Sequence, residues 1–274
     1  MNNQQEQLAK IAAQILEQAS VKPDYGIILG SGLGILAESA ENATVIPYSE
    51  IPHFPTSTAP GHAGNLVVGK LGGKNVVMMQ GRFHTYEGYT QQEVTLPIAV
   101  MKEMGVHSLI VTCATGGLNY NFVPGDIMLI RDHINFTGSN PLIGPNDEEL
   151  GPRFPVMFDA YTPALRAIAH EAALKQGIRL HEGVYCGITG PAFFTAAELR
   201  MLMQWGCDSI GMSTVPEVIM AVHRGLKVMG LALISDMAIP DTGHHATGEE
   251  VLRVVNESSP KFAKLLVSIL QDLA

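Results

Sequence analysis

The chain has 274 residues, 46% of them hydrophobic and only 16% charged, which allows a substantial core and excludes a composition typical of disorder. Its formal net charge of −9 argues against a nucleic-acid-binding protein, which would normally carry a basic face. The three cysteines, Cys113, Cys186 and Cys207, are widely spaced in apolar surroundings. They predict buried free thiols in a reducing cytoplasm, and their spacing offers no metal site.

Apolar runs and helical periodicity alternate along the chain. An amphipathic helix over residues 5–19 comes first, and a buried strand over residues 25–29 follows it. Further strands are predicted at residues 66–68, 76–80, 108–113, 127–130, 183–188, 209–212 and 228–234. Further helices are predicted at residues 92–104, 163–176, 196–205, 215–224 and 249–273. This alternation predicts an α/β fold, a single domain over residues 1–274 with a central mixed β-sheet flanked by helices.

The N-terminus and the longest connection add two expectations. The first residues do not form a signal peptide, and no apolar stretch reaches the length of a membrane span, so a cytoplasmic protein that does not contact membranes is expected. Residues 138–154 form a loop rich in glycine, proline and asparagine. A loop of that length inside a compact domain is often functional.

The run 81–88, Gly-Arg-Phe-His-Thr-Tyr-Glu-Gly, concentrates side chains that bind anions or move protons. It follows an apolar strand, and alternation places Arg82 and His84 on the same side of an extended chain. A guanidinium and an imidazole that converge there suit a phosphate-sized anion, which arginine can bind through two parallel hydrogen bonds. A surface turn with solvated charges is the alternative.

Two glycine-rich loops are further candidate anion sites. Residues 30–34 follow the strand at 25–29 and place Ser31 among free backbone N–H groups, unless they form only a tight turn. Their Gly-x-Gly-x-Gly spacing differs from the dinucleotide-binding pattern, so a nicotinamide-dependent oxidoreductase is not favoured. In residues 60–64, His62 is a candidate anion ligand, although a plain surface histidine is the simpler interpretation of that segment alone.

Two more strand ends carry small or polar residues. In residues 112–117 a glycine pair allows the backbone to approach a flat ligand closely, unless the pair only reverses the chain. In residues 211–217, Ser213 or Thr214 is predicted to cap a helix that has Glu217 in its first turn. The N-terminus of that helix is a ready anion site.

Asp236 is predicted at the carboxyl end of the last strand, where α/β proteins usually bind ligands, although a helix cap or a loop charge is an equal alternative. None of these signals defines a site by itself. Their convergence is more specific, because at least four strand ends carry candidate residues: Ser31, Arg82 with His84, Ala114 with Thr115, and Ser213.

At these motifs, and in chain order, the sequence resembles the purine nucleoside phosphorylases of the trimeric class, which also contains the methylthioadenosine phosphorylases. The motifs are residues 30–34, 61–64, 81–88, 125–135, 144–147 and 211–217, and the resemblance extends from about residue 24 to the C-terminus. It implies an α/β fold with a central mixed sheet. It also implies cleavage of the N-glycosidic bond of purine nucleosides by inorganic phosphate, which gives the free base and a pentose 1-phosphate without a metal or organic cofactor.

The resemblance also assigns roles to individual residues. It implies phosphate binding by Ser31, His62, Arg82, His84, the backbone of Ala114, and Ser213, with Glu87 as support. It implies ribose contacts from Tyr86, Met212 and a Phe154 lent by the neighbouring subunit, hence a homotrimer with the active site at the subunit interface. It implies base contacts from Phe193, Phe194, Ile210, Thr115, Gly116 and Asp236. The catalytic residues it implies are His84, at the phosphate, and Asp236, at N7 of the base.

Four positions depart from the family pattern. Phe194 stands where enzymes for hypoxanthine and guanine usually have Glu, and Asp236 stands where they usually have Asn. Cys113 replaces another Asn beside the base, and Gly248 replaces a His that reaches the 5′-hydroxyl. The adjacent loop offers two candidate substitutes for that histidine, His244 and His245.

These departures favour a 6-aminopurine nucleoside, either adenosine or a 5′-modified adenosine. The reason is that an aspartate accepts a hydrogen bond from a 6-amino group, whereas an ionised aspartate repels O6. Two alternatives stay open. One is an ordinary 6-oxopurine phosphorylase that acts on inosine and guanosine, and the other is a non-catalytic protein that binds nucleosides or phosphate on the same scaffold.

Overall fold

The computed structural model describes residues 3–241 and 246–274. Their strands are β1 Tyr25–Leu29, β2 Glu41–Pro47, β3 Asn65–Leu71, β4 Lys74–Gln80, β5 Ser108–Gly117, β6 Ile127–Asn135, β7 Leu180–Gly187, β8 Ser209–Gly211 and β9 Lys227–Met237. Their α-helices are α1 Asn3–Gln18, α2 Ile35–Glu38, α3 Gln91–Met104, α4 Pro163–Gln176, α5 Ala196–Gln204, α6 Val215–His223 and α7 Gly248–Asp272. Two short 3-10 helices cover Tyr48–Glu50 and Thr85–Glu87.

The described strands form one mixed sheet in the order β2-β3-β4-β1-β5-β8-β7-β6-β9, and β9 also pairs with β5. Parallel pairing joins β1 to β4 and β5, and β5 to β9, whereas β3 is antiparallel to both of its neighbours. Leu29 lies opposite Gln80, so the loops after β1 and β4 begin side by side. Thr115 lies opposite Ile234, so the ends of β5 and β9 are neighbours as well. The candidate residues therefore meet at one edge of the sheet.

The core lies on both faces of this sheet, as expected for an α/β fold. One apolar cluster packs α1, α3 and α6 against the sheet. A second cluster packs α2, α4 and α7 against it. A third, smaller cluster joins β7 and β8 to α5 and includes the buried thiols of Cys186 and Cys207. These two cysteines and Cys113 are free and buried, as the sequence predicted.

The predicted helices and most strands are confirmed with small shifts at their ends. Strand β2 was missed, because it is an edge strand whose side chains are mostly exposed and show little apolar pattern. Strand β5 does not end at residue 113 but continues to Gly117, because Gly116 pairs with both Ile210 and Asp236. The alternative that the glycine pair reverses the chain is therefore wrong.

The long connection is longer than predicted. Residues 136–162 are all described and contain no helix or strand, so the predicted loop 138–154 lies inside them. Among the helices described, none is both long and apolar enough to cross a membrane.

Candidate active site

A cavity of about 490 Å³ opens at the edge of the sheet where these strands end. The residues predicted from the sequence that line it are Ser31, Arg82, His84, Tyr86, Ala114, Thr115, Gly116, Phe193, Phe194, Ile210, Met212, Ser213 and Asp236. Cys113 and Gly248, which were noted as departures from the family pattern, also line it. The fold thus brings together residues from separate segments of the chain, as the convergence of strand ends predicted.

Arg82 lies at one end of the cavity. Its side chain is almost fully buried, with only 1% exposed, and protein groups hold it in place. Its Nη2 donates a hydrogen bond to the carbonyl of Thr112, and its Nη1 donates one to Oγ1 of Thr214 at 3.4 Å. Its Nε lies 3.4 Å from Oε1 of Glu217. The guanidinium therefore has a set orientation at the point where the sequence predicted an anion.

The start of α6 differs from the prediction that Ser213 or Thr214 caps this helix. Thr214 occupies the cap position, but its side chain makes no capping hydrogen bond, and its φ is +70°. A β-branched residue rarely adopts a positive φ, which costs on the order of 1–3 kcal/mol and persists only where the surroundings enforce it. Here the Thr214 hydroxyl instead accepts from Arg82 and lies 3.2 Å from Oγ of Ser213, which lines the cavity.

His84 is held by Glu87, the residue to which the family resemblance assigned a supporting role. The carboxylate accepts from both the backbone N–H and the Nδ1 side of His84, each at 2.9 Å, and its other oxygen accepts from Thr58. Burial and the neighbouring Arg82 lower the pKa of His84 to about 4. The imidazole is therefore neutral at pH 7, with its Nδ1 proton directed to Glu87 and its Nε2 left as an acceptor.

His62 is not among the residues that line the cavity, and it lies behind Ser31. Its Nε2 is 3.1 Å from Oγ of Ser31, and its Nδ1 is 3.0 Å from the carbonyl of Arg82. The rings of His62, His84 and Tyr86 stack in sequence, with centroid distances of 5.3 and 4.6 Å. His62 thus orients two residues of the candidate anion site from outside it.

Among the described residues, the opposite end of the cavity has one carboxyl group and mostly apolar walls. Oγ of Ser235 donates to Oδ1 of Asp236 at 2.7 Å, and burial raises the pKa of Asp236 by more than this hydrogen bond lowers it. A Cβ added at Gly116 would lie 2.9 Å from Cβ of Ala238, so a larger residue would narrow this end. Phe194 packs edge-on against Phe136 at 5.9 Å, and so forms part of an apolar wall.

The sequence missed several residues of this site. Thr112, Thr214 and Glu217 fix Arg82, although the sequence placed the latter two only at a helix start. Further described residues of the cavity wall have no sequence signal of their own: Ile188, Leu199, Ser235, Met237, Ala238, Ala246 and Val251. They come from segments that only the tertiary fold brings together, so no local pattern could have identified them.

Two sets of residues predicted from the sequence cannot be placed at the cavity. Phe154 is 85% exposed, does not line it, and has the guanidinium of Arg153 5.8 Å from its ring centre. His244 and His245, the candidate substitutes at the 5′ contact, lie outside the described residues. Gly248 and Val251, in the first turn of α7, do line the cavity.

The chain matches the phosphorylase superfamily over residues 24–271. It is 52% identical to purine nucleoside phosphorylase 1 of Geobacillus stearothermophilus, and the alignment covers 96% of each chain. Its structure resembles that of Schistosoma mansoni purine nucleoside phosphorylase in complex with adenosine, with a TM-score of 0.94, 42% identity and 98% of both chains covered. The complex of the Schistosoma mansoni enzyme with inosine gives a TM-score of 0.93 at 40% identity, with 98% of this chain and 97% of that chain covered.

The chain therefore belongs to the phosphorylase superfamily, and within it to the purine nucleoside phosphorylases. The resemblance drawn from the strand-end motifs is confirmed, and so is the α/β fold with a central mixed sheet. A protein without enzymatic activity on this scaffold is not favoured, since the relatives at this level of identity are enzymes by name.

Proposed function

We propose that this protein cleaves purine nucleosides with inorganic phosphate and favours a 6-aminopurine base. The observation that carries the base preference is Asp236, the one carboxyl group among the described residues that line the cavity, with a pKa raised by burial. Phosphate is a co-substrate in this reaction, and the proposed steps invoke no metal or organic cofactor.

Arg82 and the start of α6 form the proposed phosphate site. A guanidinium has five N–H donors: Thr112 and Thr214 accept from one each, and the Nε–H lies against the Glu217 carboxylate without forming a directed hydrogen bond. One N–H on each terminal nitrogen is then left for two phosphate oxygens, which is the bidentate arrangement that arginine prefers. The Ser213 hydroxyl, which lines the cavity, adds a donor, and the N-terminal end of α6 adds a favourable helix dipole.

His84 complements these donors as an acceptor. Because its pKa is about 4, the imidazole is neutral at pH 7, and Glu87 holds the Nδ1 proton. Its Nε2 then accepts a hydrogen bond from a protonated oxygen of the phosphate monoanion, and Ser31 contacts a further oxygen. This set of contacts orients the phosphate oxygen that attacks the sugar.

The proposed reaction breaks the C1′–N9 bond and forms a bond between C1′ and a phosphate oxygen. The bonding electron pair leaves with the base, and positive charge develops on the sugar while the bound phosphate faces it and stabilises it. The base accepts a proton or a strong hydrogen bond at N7 from the acid form of Asp236, and burial, which raises the pKa of Asp236, increases the share of that form relative to an exposed aspartate. The products are the free purine and a pentose 1-phosphate.

A protonated Asp236 matches adenine better than a 6-oxopurine. The acid offers one donor, its O–H, and one acceptor, its carbonyl oxygen. Adenine presents an acceptor at N7 and a donor at its 6-amino group, whereas guanine and hypoxanthine present acceptors at both N7 and O6. Phe194 supports the same preference, because it offers no acceptor to the N–H edge of a 6-oxopurine.

Initial rates with adenosine, methylthioadenosine, inosine and guanosine at saturating phosphate test this proposal. We expect Asp236→Asn to shift the kcat/KM ratio of adenosine to inosine towards inosine by roughly five- to thirty-fold, since the amide has a second N–H that can donate to O6 and one such hydrogen bond is worth about 1–2 kcal/mol. Asp241→Asn, at an exposed carboxylate that pairs with Arg200, is the matched control and leaves the ratio unchanged. A native enzyme that strongly prefers inosine, and loses that preference in Asp236→Asn, contradicts the proposal.

We also propose that the active enzyme is a homotrimer in which Phe154 of one subunit completes the sugar site of the next. The exposure of Phe154, together with Ile143, Val156 and Phe158 in the same connection, supports this. Apolar side chains grouped on one exposed segment are typical of an interface. Steady-state kinetics and light scattering of Phe154→Ala test it: we expect KM for the nucleoside to rise at least about five-fold while a trimeric mass is kept. A monomeric native protein with full activity contradicts it.

A further inference from the structure

Arg82 and Glu217 form an ion pair that is buried behind the proposed phosphate site. The two side chains are 1% and 3% exposed, and Nε of Arg82 lies 3.4 Å from Oε1 of Glu217. Glu217 does not line the main cavity and borders a much smaller one behind Ser213. It therefore faces the arginine from the side away from the substrate.

The contact between these side chains is one of charge and not of a directed hydrogen bond. Nε of Arg82 and Oε2 of Glu217 have no hydrogen-bond partner among the described residues. The two terminal nitrogens of Arg82 are bound instead to the Thr112 carbonyl and the Thr214 hydroxyl. The orientation of the guanidinium is thus set by groups other than Glu217, and what Glu217 supplies is negative charge.

We propose that Glu217 is the counter-ion that stabilises the buried Arg82 charge when the site is empty, and that it weakens phosphate binding by doing so. This inference rests on the proposed function, in which Arg82 binds phosphate. A buried charge without a partner is strongly destabilising, so the empty site needs a carboxylate. When phosphate arrives it supplies the negative charge itself, and the two anions then repel each other across the guanidinium.

The alternative role for Glu217 is that of a helix cap. It is the third residue of α6, and the backbone N–H of Thr214 donates a hydrogen bond to its carboxylate. Burial raises the pKa of Glu217, while Arg82 and this N–H act in the opposite direction. A glutamine at this position keeps an oxygen that can accept from the N–H and removes only the charge, so the two roles are separable.

The experiment measures phosphate binding by calorimetry, and the thermal midpoint with and without phosphate, for wild type and three variants. In E217Q we expect the midpoint without phosphate to fall and the Kd for phosphate to drop about ten-fold, because repulsion between the anions is removed. The rise in midpoint caused by phosphate is then larger than in wild type. E217D keeps the charge and stays close to wild type in Kd.

E103Q is the matched control, because Glu103 pairs with the buried Arg224 at the opposite end of α6. We expect it to lower the midpoint but to leave the phosphate Kd unchanged. If E217Q does not fold without phosphate, refolding yields across a phosphate series replace the midpoint, and a yield that rises with phosphate supports the proposal. Aggregation of E217Q at every phosphate concentration contradicts it.

The outcomes separate this inference from the proposed function. If wild type binds phosphate and E217Q binds it equally or more weakly, Glu217 only caps the helix or orients Arg82, and the counter-ion proposal is overturned. If wild type itself binds no phosphate at millimolar concentration, the proposed phosphate site fails and the counter-ion role fails with it.

Discussion

The two ends of the cavity are built differently. At the proposed phosphate end, Arg82 and His84 are held by protein partners through their side chains, and a network of polar residues supports them. At the proposed base end, Ser235 is the one side-chain hydrogen-bond partner of Asp236 found among the described residues, and the walls around it, such as Phe194, are apolar. A polar network that holds an anion in one geometry tolerates few substitutions. An apolar wall with one polar group can accept a different base after a single substitution. The departures from the family pattern lie at positions to which the resemblance assigns contacts with the base and the 5′ group.

The largest effect is expected at the phosphate end. Arg82→Gln removes the bidentate contact and leaves Glu217 as a buried charge without its partner. We expect kcat/KM for adenosine to fall by a factor of roughly 10³ or more, the effect of losing a group that stabilises the transition state electrostatically. Steady-state rates at several phosphate concentrations measure it. Arg200→Gln, at an exposed ion pair, controls for the loss of a surface charge. If kcat/KM of Arg82→Gln falls by less than ten-fold, the proposed phosphate end is no more sensitive to substitution than the proposed base end.

A second test concerns stability against pH at the same end. The pKa of His84 is lowered to about 4, whereas an unfolded histidine titrates near 6.5. Between these values the unfolded chain binds a proton that the folded chain does not. The free energy of unfolding therefore falls as the pH drops from 6.5 to 4, by about 3 kcal/mol from this residue alone. It is unaffected above about pH 7.

Urea unfolding of His84→Asn and wild type at several pH values between 7 and 4 measures this contribution. We expect the variant to lose less stability on acidification than wild type, with the difference confined to that window. His53→Asn, at an exposed histidine, is the control. Parallel pH curves for wild type and His84→Asn would mean that His84 is not held neutral.

At the base end a smaller and more selective change is expected. Phe194→Glu introduces an acceptor for the N–H edge of a 6-oxopurine, whereas adenine has no proton at N1 and is repelled. We expect kcat/KM for adenosine to fall and that for guanosine to rise, so that their ratio changes about ten-fold or more. The KM for phosphate should not change. Phe194→Leu, which keeps an apolar wall, should preserve the adenosine preference; equal effects of both variants would contradict a polar origin of the selectivity.

The same contrast explains what could be predicted from the sequence. Arg82 and His84 were identifiable because their spacing and the preceding strand are local features, and parallel strands bring their ends together. Glu217 looked like a first-turn residue of a helix, and only the fold places it against Arg82, which is distant in sequence. Thr214 was expected to cap that helix, but the backbone at its position turns the hydroxyl to Arg82 instead. Long-range partners of this kind leave no periodic pattern in a single sequence.

The smallest effect is expected at Ser235, the partner of Asp236. Its hydroxyl donates to the carboxylate, so it stabilises the ionised form and lowers the pKa of Asp236. Ser235→Ala removes this donor, and the pKa of Asp236 should rise further, because the lost hydrogen bond stabilises the ionised form. If the protonated acid assists departure of the base, the alkaline limb of kcat against pH moves to higher pH by the same amount. A limb that moves to lower pH, or stays in place while activity falls, would assign the proton at N7 to another group.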